Sequence, residues 1–196
     1  IGLTALFFIP SSENGHSKTA GKSNKGRSLI FYCGAGLRPA VKPVIDAFEH
    51  EHGIQVQTNY AGSGTLLGQI SSYQRGDLFM PGAEHYVDKA IEKGLAQADS
   101  KKIVSYFVPV IFVQKGNPKS IETLEDLSKE GVRLGFGNPK ACAIGKRTQQ
   151  ILDKNDIAYE KLKPNVVYRS GTVNELGVAV KTGSVDAVIM WNANAN

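Results

Sequence analysis

The chain has 196 residues, 41% of them hydrophobic and 21% charged, which supplies one large or two small cores and excludes a disordered or fibrous protein. Twenty-three Lys and Arg against 18 Asp and Glu leave a formal charge of +5, which favours an anionic partner. The basic residues are scattered and no basic stripe is interleaved with aromatics, so a small anion is expected and nucleic acid is not.

In chain order, the first apolar run is IGLTALFFIP, residues 1–10, too short to span a bilayer as a mature helix. With the polar SSENGHSKTAGKSNKGR that follows, it is expected to be the end of a secretory signal and a flexible tether, residues 1–27, the alternative being an apolar N-terminal strand. No Cys lies nearby to carry a lipid. From Ser28 onward short apolar runs alternate with amphipathic stretches. SLIFYC predicts a strand. PAVKPVIDAFEHEHG predicts a helix with Val41, Val44, Ile45 and Phe48 on one face and Gly53 at its end. Pro39 suits its first turn, and Pro43 argues for a start one turn later. IQVQTNYAG predicts a strand, SGTLLGQISSYQRG a helix, DLFMPG a short strand, and EHYVDKAIEKG a helix closed by Gly94.

IVSYFVPVIFVQKGNP is long and apolar, but Pro109 in its middle argues against one central strand. It is expected to cross between two lobes, residues 28–110 and 111–191, with 192–196 starting a return. Beyond it SIETLEDLSKEG predicts a capped helix, VRLGFGNP a strand and turn, and AIGKRTQQILDKND a helix. NVVYRSG predicts a strand, TVNELGVAVKTG a helix, and DAVIMW a strand. The alternation runs twice, which predicts an α/β fold of two mostly parallel sheets flanked by helices.

Four bends share one arrangement, in which a strand ends, small residues turn the chain and a helix starts: Cys33 to Pro39, Ala61 to Gly68, Lys140 to Arg147, and Ser170 to Glu175. In an open parallel sheet these ends face the crevice where ligands bind. A helix start offers unpaired N–H groups and partial positive charge, so it holds anions without a charged side chain. Gly34, Ala35 and Gly36 permit close approach at the first bend. Ser63 and Thr65 add hydroxyls at the second, and Thr172 with Glu175 forms a capping box at the fourth. No phosphate-loop pattern occurs.

The segments AGSGTLLGQI, GDLFMPGAEHYVDKAIEKGL, GNPKACAIG and DAVIMWNANA, in this order and spacing, make the chain from Ser28 to Asn196 resemble the molybdate- and oxyanion-binding proteins of bacterial ABC importers, of the type II periplasmic binding protein fold. The resemblance implies a periplasmic or extracytoplasmic receptor, monomeric at full length and not an enzyme. Such a receptor closes two lobes on a tetrahedral oxyanion and delivers it to a membrane ABC permease. It implies no cofactor and no bound metal beyond the anion itself, molybdate or tungstate. Ser63 matches the family's second-loop serine, and Ile144 and Val173 match positions that donate backbone amides. Gly36 stands where the family has a first-loop serine, and Trp191 where well-known members have a tyrosine. Gly34, Ala35, Gly64 and Cys142 complete the expected ligand-binding set. Family members recross the hinge and add helices after this point, so the sequence is expected to be truncated at both ends.

Sulfate, another anion or an anionic metal chelate is an alternative ligand. A thiol-based redox sensor or enzyme using Cys33 and Cys142 is the alternative from a different class. Both cysteines flank bends, and burial, a latch between lobes or reactivity stand open for them. His16, His50, His52 and His85 combine with neither cysteine in a metal-ligand spacing. His85 and Tyr86 are expected on a surface helix near the rim, and Asp77 and Asp186 as solvated or capping groups at strand starts.

Overall fold

The computed structural model describes residues 2–8, as backbone, and 28–195. Lobe one holds a five-stranded sheet of β1 (Gly2–Phe8), β2 (Ser28–Gly34), β3 (Gln55–Ala61), β4 (Leu78–Met80) and β5 (Lys102–Phe107), in the order β3-β2-β4-β1-β5. β2 runs parallel to β3 and β4, while β1 is antiparallel to both β4 and β5. The segment expected to close a signal is therefore a sheet strand here. A short apolar run bounded by polar chain suits a buried strand as well as it suits a signal core. The tether expected before Ser28 lies outside the described residues.

Three helices pack on this sheet: α1 (Arg38–His52), α2 (Ser63–Tyr73) and α3 (Glu84–Glu92). α1 starts at Arg38 and carries Pro43 inside it, one turn earlier than expected, because a proline there forfeits only one backbone bond. Gly53 ends it in the left-handed conformation at φ 64°. Of its predicted apolar face, Ile45 is buried but Val44 is 67% exposed.

The chain crosses to lobe two at Val108. Pro109 opens β6 (Pro109–Val113), so the interrupted apolar run becomes two strands in two different sheets. Lobe two orders its sheet β6-β9-β7-β8, with β7 (Leu134–Gly137), β8 (Val166–Ser170) and β9 (Ala187–Trp191) parallel and β6 antiparallel to β9. Around it lie α4 (Ala143–Lys154), a single-turn α5 (Tyr159–Leu162) that the sequence reading missed, and α6 (Val173–Lys181). The helix expected in SIETLEDLSKEG is only a 3-10 turn over Glu125–Ser128. Asp126 accepts from the Glu122 and Thr123 amides and returns its own N–H to the Thr123 hydroxyl, which satisfies those groups in a local turn.

The core runs continuously through both lobes, from Phe79, Leu66 and Ile70 to Leu134, Leu176 and Met190. All five residues of β9 are buried, so Trp191 is delivered to the boundary between the lobes by a fixed element.

Candidate functional site

All four bends meet at one cleft. Its walls are Gly34 to Leu37 from the first bend, Ala61 to Ser63 from the second, Cys142 to Ile144 from the third, and Thr172 with Val173 from the fourth. Gly82, Phe107 and Trp191 complete it. The cavity is about 20 Å³, room for one compact group and not for a sugar or a peptide. Among the described residues no charged side chain lines it.

Small residues and apolar side chains line it, and the helix starts bring backbone amides to its edge. α2 and α4 start after Gly62 and Cys142 with no side-chain cap, so first-turn amides such as those of Ser63, Ala143 and Ile144 have no partner inside their own helices. At α6 the Thr172 hydroxyl does cap the Glu175 amide, and the Glu175 carboxylate reaches back to the Gly171 N–H. The box spends the amides of Gly171 and Glu175 and does not use that of Val173, a residue that lines the cleft.

Ser63 is 2% exposed, and its Oγ accepts the Gly82 N–H at 2.9 Å. With one lone pair engaged, its proton is free to be donated into the cavity. Gly82, from the MPGA turn after β4, thus orients the hydroxyl; a Cβ there would sit 3.6 Å from that oxygen and 4.0 Å from the Trp191 Nε1. Trp191 is 2% exposed and stacks on Phe107 at 5.4 Å, which fixes the indole at the cleft floor.

The lobes are closed on one another. The amides of Gly64 and Thr65 donate to the Ala141 carbonyl across the cleft, at 2.8 and 3.4 Å, so Gly64 contributes to closure and not to the cavity wall. Tyr86, expected on the surface, is buried and directs its hydroxyl at the Pro139 carbonyl of lobe two. Gly36 faces Val173: a Cβ at position 36 would lie 2.7 Å from Val173 Cγ1 and 2.9 Å from Asn194 Oδ1. The space for a first-loop serine is therefore already taken.

Both cysteines are free and buried. Burial pushes the Cys33 thiol up to about 12 and Cys142 to about 11, the reverse of the exposed, electropositive setting that activates a thiol. Only Cys142 reaches the cleft. Asp77 accepts the Ile30 amide and Asp186 the Arg133 amide, as capping groups should, and Asp186 is also buried against the Arg133 side chain. Phe107 and Gly82 escaped the sequence reading, since neither lies at a helix start; the one available signal was their place at a strand end.

His85 lies half-buried in the first turn of α3, with Nε2 shielded from water and without a partner among the described residues. Burial first, then the charges of Lys146, Lys89 and Arg147, lower it to about 4. A folded value below the unfolded 6.5 means that the neutral ring's contribution is complete above pH 6.5 and is lost as pH falls toward 4. Denaturant melts at pH 7, 6 and 5 should show stability falling with pH, and His85→Gln should flatten that slope.

Residues 29–196 match the model of the bacterial extracellular solute-binding protein family. The chain belongs to that family. It is 33% identical over 174 residues, 88% of its length and 69% of the relative's, to the Haemophilus influenzae protein named "Putative binding protein". It is 25% identical over 194 residues, 98% of its length and 72% of the relative's, to the molybdate-binding protein ModA of Mycobacterium tuberculosis. The sulfate-binding protein SubI of M. tuberculosis superimposes with a TM-score of 0.73 at 23% identity, over 84% of this chain and 64% of that one. The fold is accordingly the two-lobed periplasmic binding protein fold, and its relatives are solute-binding proteins, not enzymes. Among the described residues no helix is long and apolar enough to cross a membrane.

Proposed function

We propose that this chain is an extracytoplasmic receptor that captures a tetrahedral oxyanion, molybdate or tungstate, and presents it to a membrane ABC permease. The observation that carries the reading is the convergence of four helix or turn starts and the Ser63 hydroxyl on one small cavity without a charged side chain. Such a wall donates hydrogen bonds and accepts few. A fully deprotonated dianion needs only donors, whereas a protonated phosphate leaves an O–H without an acceptor. Ser63, Gly36, Ile144, Val173 and Trp191 would face the anion, with Gly34 and Ala35 shaping the bend and Cys142 supplying apolar wall.

Sulfate is the second reading, because it presents the same charge and geometry and the superimposable SubI is a sulfate-binding protein. A thermal-shift panel with molybdate, tungstate, sulfate and phosphate separates the two. Anion at about 100 times its Kd adds roughly 2.7 kcal/mol of stability. A rise with molybdate and tungstate alone supports the first reading, a rise with sulfate alone the second, and no rise with any anion overturns both. Ser63→Ala should lower the affinity of the bound anion about tenfold or more, read by calorimetry, since a hydrogen bond to a charged group contributes about 1.5–3 kcal/mol.

A further inference from the structure

The first bend is held from the far side of the cleft by two carboxamides. Ala35, Gly36 and Leu37 form a 3-10 turn after β2. The Nδ2 of Asn174, the second residue of α6 in lobe two, donates to the Ala35 carbonyl at 3.1 Å. The Nδ2 of Asn194, in the 3-10 turn that follows β9, donates to the Gly36 carbonyl at 2.9 Å. Two consecutive carbonyls of one lobe are thus taken by side chains that the other lobe and the crossing segment supply. In a 3-10 turn carbonyls and amides point in opposite directions along the axis, so holding the carbonyls on one side turns the amides of the bend to the other. A peptide whose carbonyl accepts a hydrogen bond is also polarised into a better N–H donor.

Asn194 is oriented by this contact. Its amide nitrogen must face the Gly36 carbonyl, which leaves Oδ1 as the buried atom without a partner. The side chain also fills the space that a Cβ at position 36 would need. The absence of a hydroxyl at Gly36 and the presence of Asn194 are one packing solution.

We propose that Asn174 and Asn194 form an inter-lobe clasp: two positioning residues that close the lobes on the Ala35–Gly36 bend and aim its amides at the bound anion. The role in anion capture rests on the oxyanion reading above; the closure role does not. A clasp made only in the closed state acts on escape of the ligand more than on its entry. Hydrogen bonds at the rim of this kind are worth a few-fold to about tenfold each.

Two measurements on Asn174→Ala, Asn194→Ala and the double variant test it. Small-angle scattering of the ligand-free protein should give a larger radius of gyration for the double variant than for the wild type. Trp191 is the single tryptophan of the chain and lines the cleft, so stopped-flow fluorescence follows release of molybdate. Its dissociation rate should rise severalfold in each single variant and more in the double. Asn194→Asp, which keeps the shape but loses the donor, should release molybdate as fast as Asn194→Ala. Unchanged scattering together with unchanged release overturns the clasp while leaving the oxyanion reading intact. If the wild type binds no anion, that reading fails, and the scattering comparison alone decides closure: a larger double variant supports the clasp and an unchanged one overturns it.

Discussion

Gly64→Ala should weaken anion binding roughly 100-fold or more while leaving lobe one at least as stable as before. A Cβ at Gly64 would stand 2.0 Å from the Lys140 carbonyl oxygen and 3.0 Å from its carbon, so the obstacle is backbone of the opposite lobe and cannot rotate away. The same substitution does not weaken the helix that carries it, since Gly64 is the second residue of α2 and Ala is the better helix former. The two effects fall on different equilibria. Folding of lobe one gains a little, whereas closure must forgo the hydrogen bond that the Gly64 N–H donates to the Ala141 carbonyl and part the two segments. A closed state raised by only about 2.8 kcal/mol lowers its population, and with it the apparent affinity, by two decades. Gly68 supplies the control, because it lies on the same helix with nothing within 4 Å of its would-be Cβ. Gly68→Ala should raise the melting temperature slightly and leave Kd alone. Calorimetric titration of both variants with the anion that binds the wild type decides the matter, and equal affinities would mean that the contact between α2 and the Lys140–Ala141 turn is not made when the ligand is held. Gly62 makes the same prediction from the other side, with Gly171 and Ala141 oxygens 2.3 and 2.5 Å from its would-be Cβ.

Those glycines also show which parts of the molecule can be read from sequence. Gly62, Ser63 and Gly64 announce a helix start after a strand, and a parallel sheet sends every such start to the same edge, so the lining of the cleft was legible before any coordinate. Pro109 was equally informative, since a missing N–H in mid-run divides one apolar segment into β5 and β6. What stayed hidden depends on partners distant in sequence. Nothing near Gly82 says that its amide will orient Ser63, 19 positions earlier. Nothing in WNANAN says that Asn194 will reach Gly36, 158 positions away. SIETLEDLSKEG carries a correct capping pattern, yet Asp126 satisfies the amides of its own turn and no helix propagates. The apolar N-terminal run matched two local descriptions, and its pairing with β4 and β5 is a tertiary choice.

Asp186, expected as a solvated or capping group, caps the Arg133 amide but is buried rather than solvated. Its side chain is 3% exposed. One oxygen accepts from the Arg133 guanidinium at 2.7 Å and from Gln114, the other from the Arg133 backbone N–H at 2.8 Å. Arg133 precedes β7, Gln114 follows β6 and Asp186 precedes β9, so one carboxylate ties together three adjoining strands of lobe two. Burial alone would raise its titration, but the Arg133 side chain and amide outweigh it and hold the carboxyl below its usual range. A depressed folded value means stability present above the unfolded pKa of about 3.9 and lost as pH falls through the folded one. Asp186→Ala should therefore cost about 2–3 kcal/mol at pH 7, below the about 3–5 kcal/mol for a fully buried pair because Arg133 can turn its charge to water. In a chain of this size that is a fall of roughly 5–10 °C in melting temperature. Arg133→Met should cost more than Asp186→Ala at pH 7, since it strands a buried carboxylate that must either stay charged without its partner or take up a proton. Its destabilisation should shrink as pH is lowered toward 4, whereas that of Asp186→Ala should not begin to shrink until pH falls below the unfolded value. Urea melts of the two variants between pH 4 and 8 distinguish a carboxylate held by its arginine from one that merely caps a strand, for which Arg133→Met would cost little at any pH while Asp186→Ala still lost the cap.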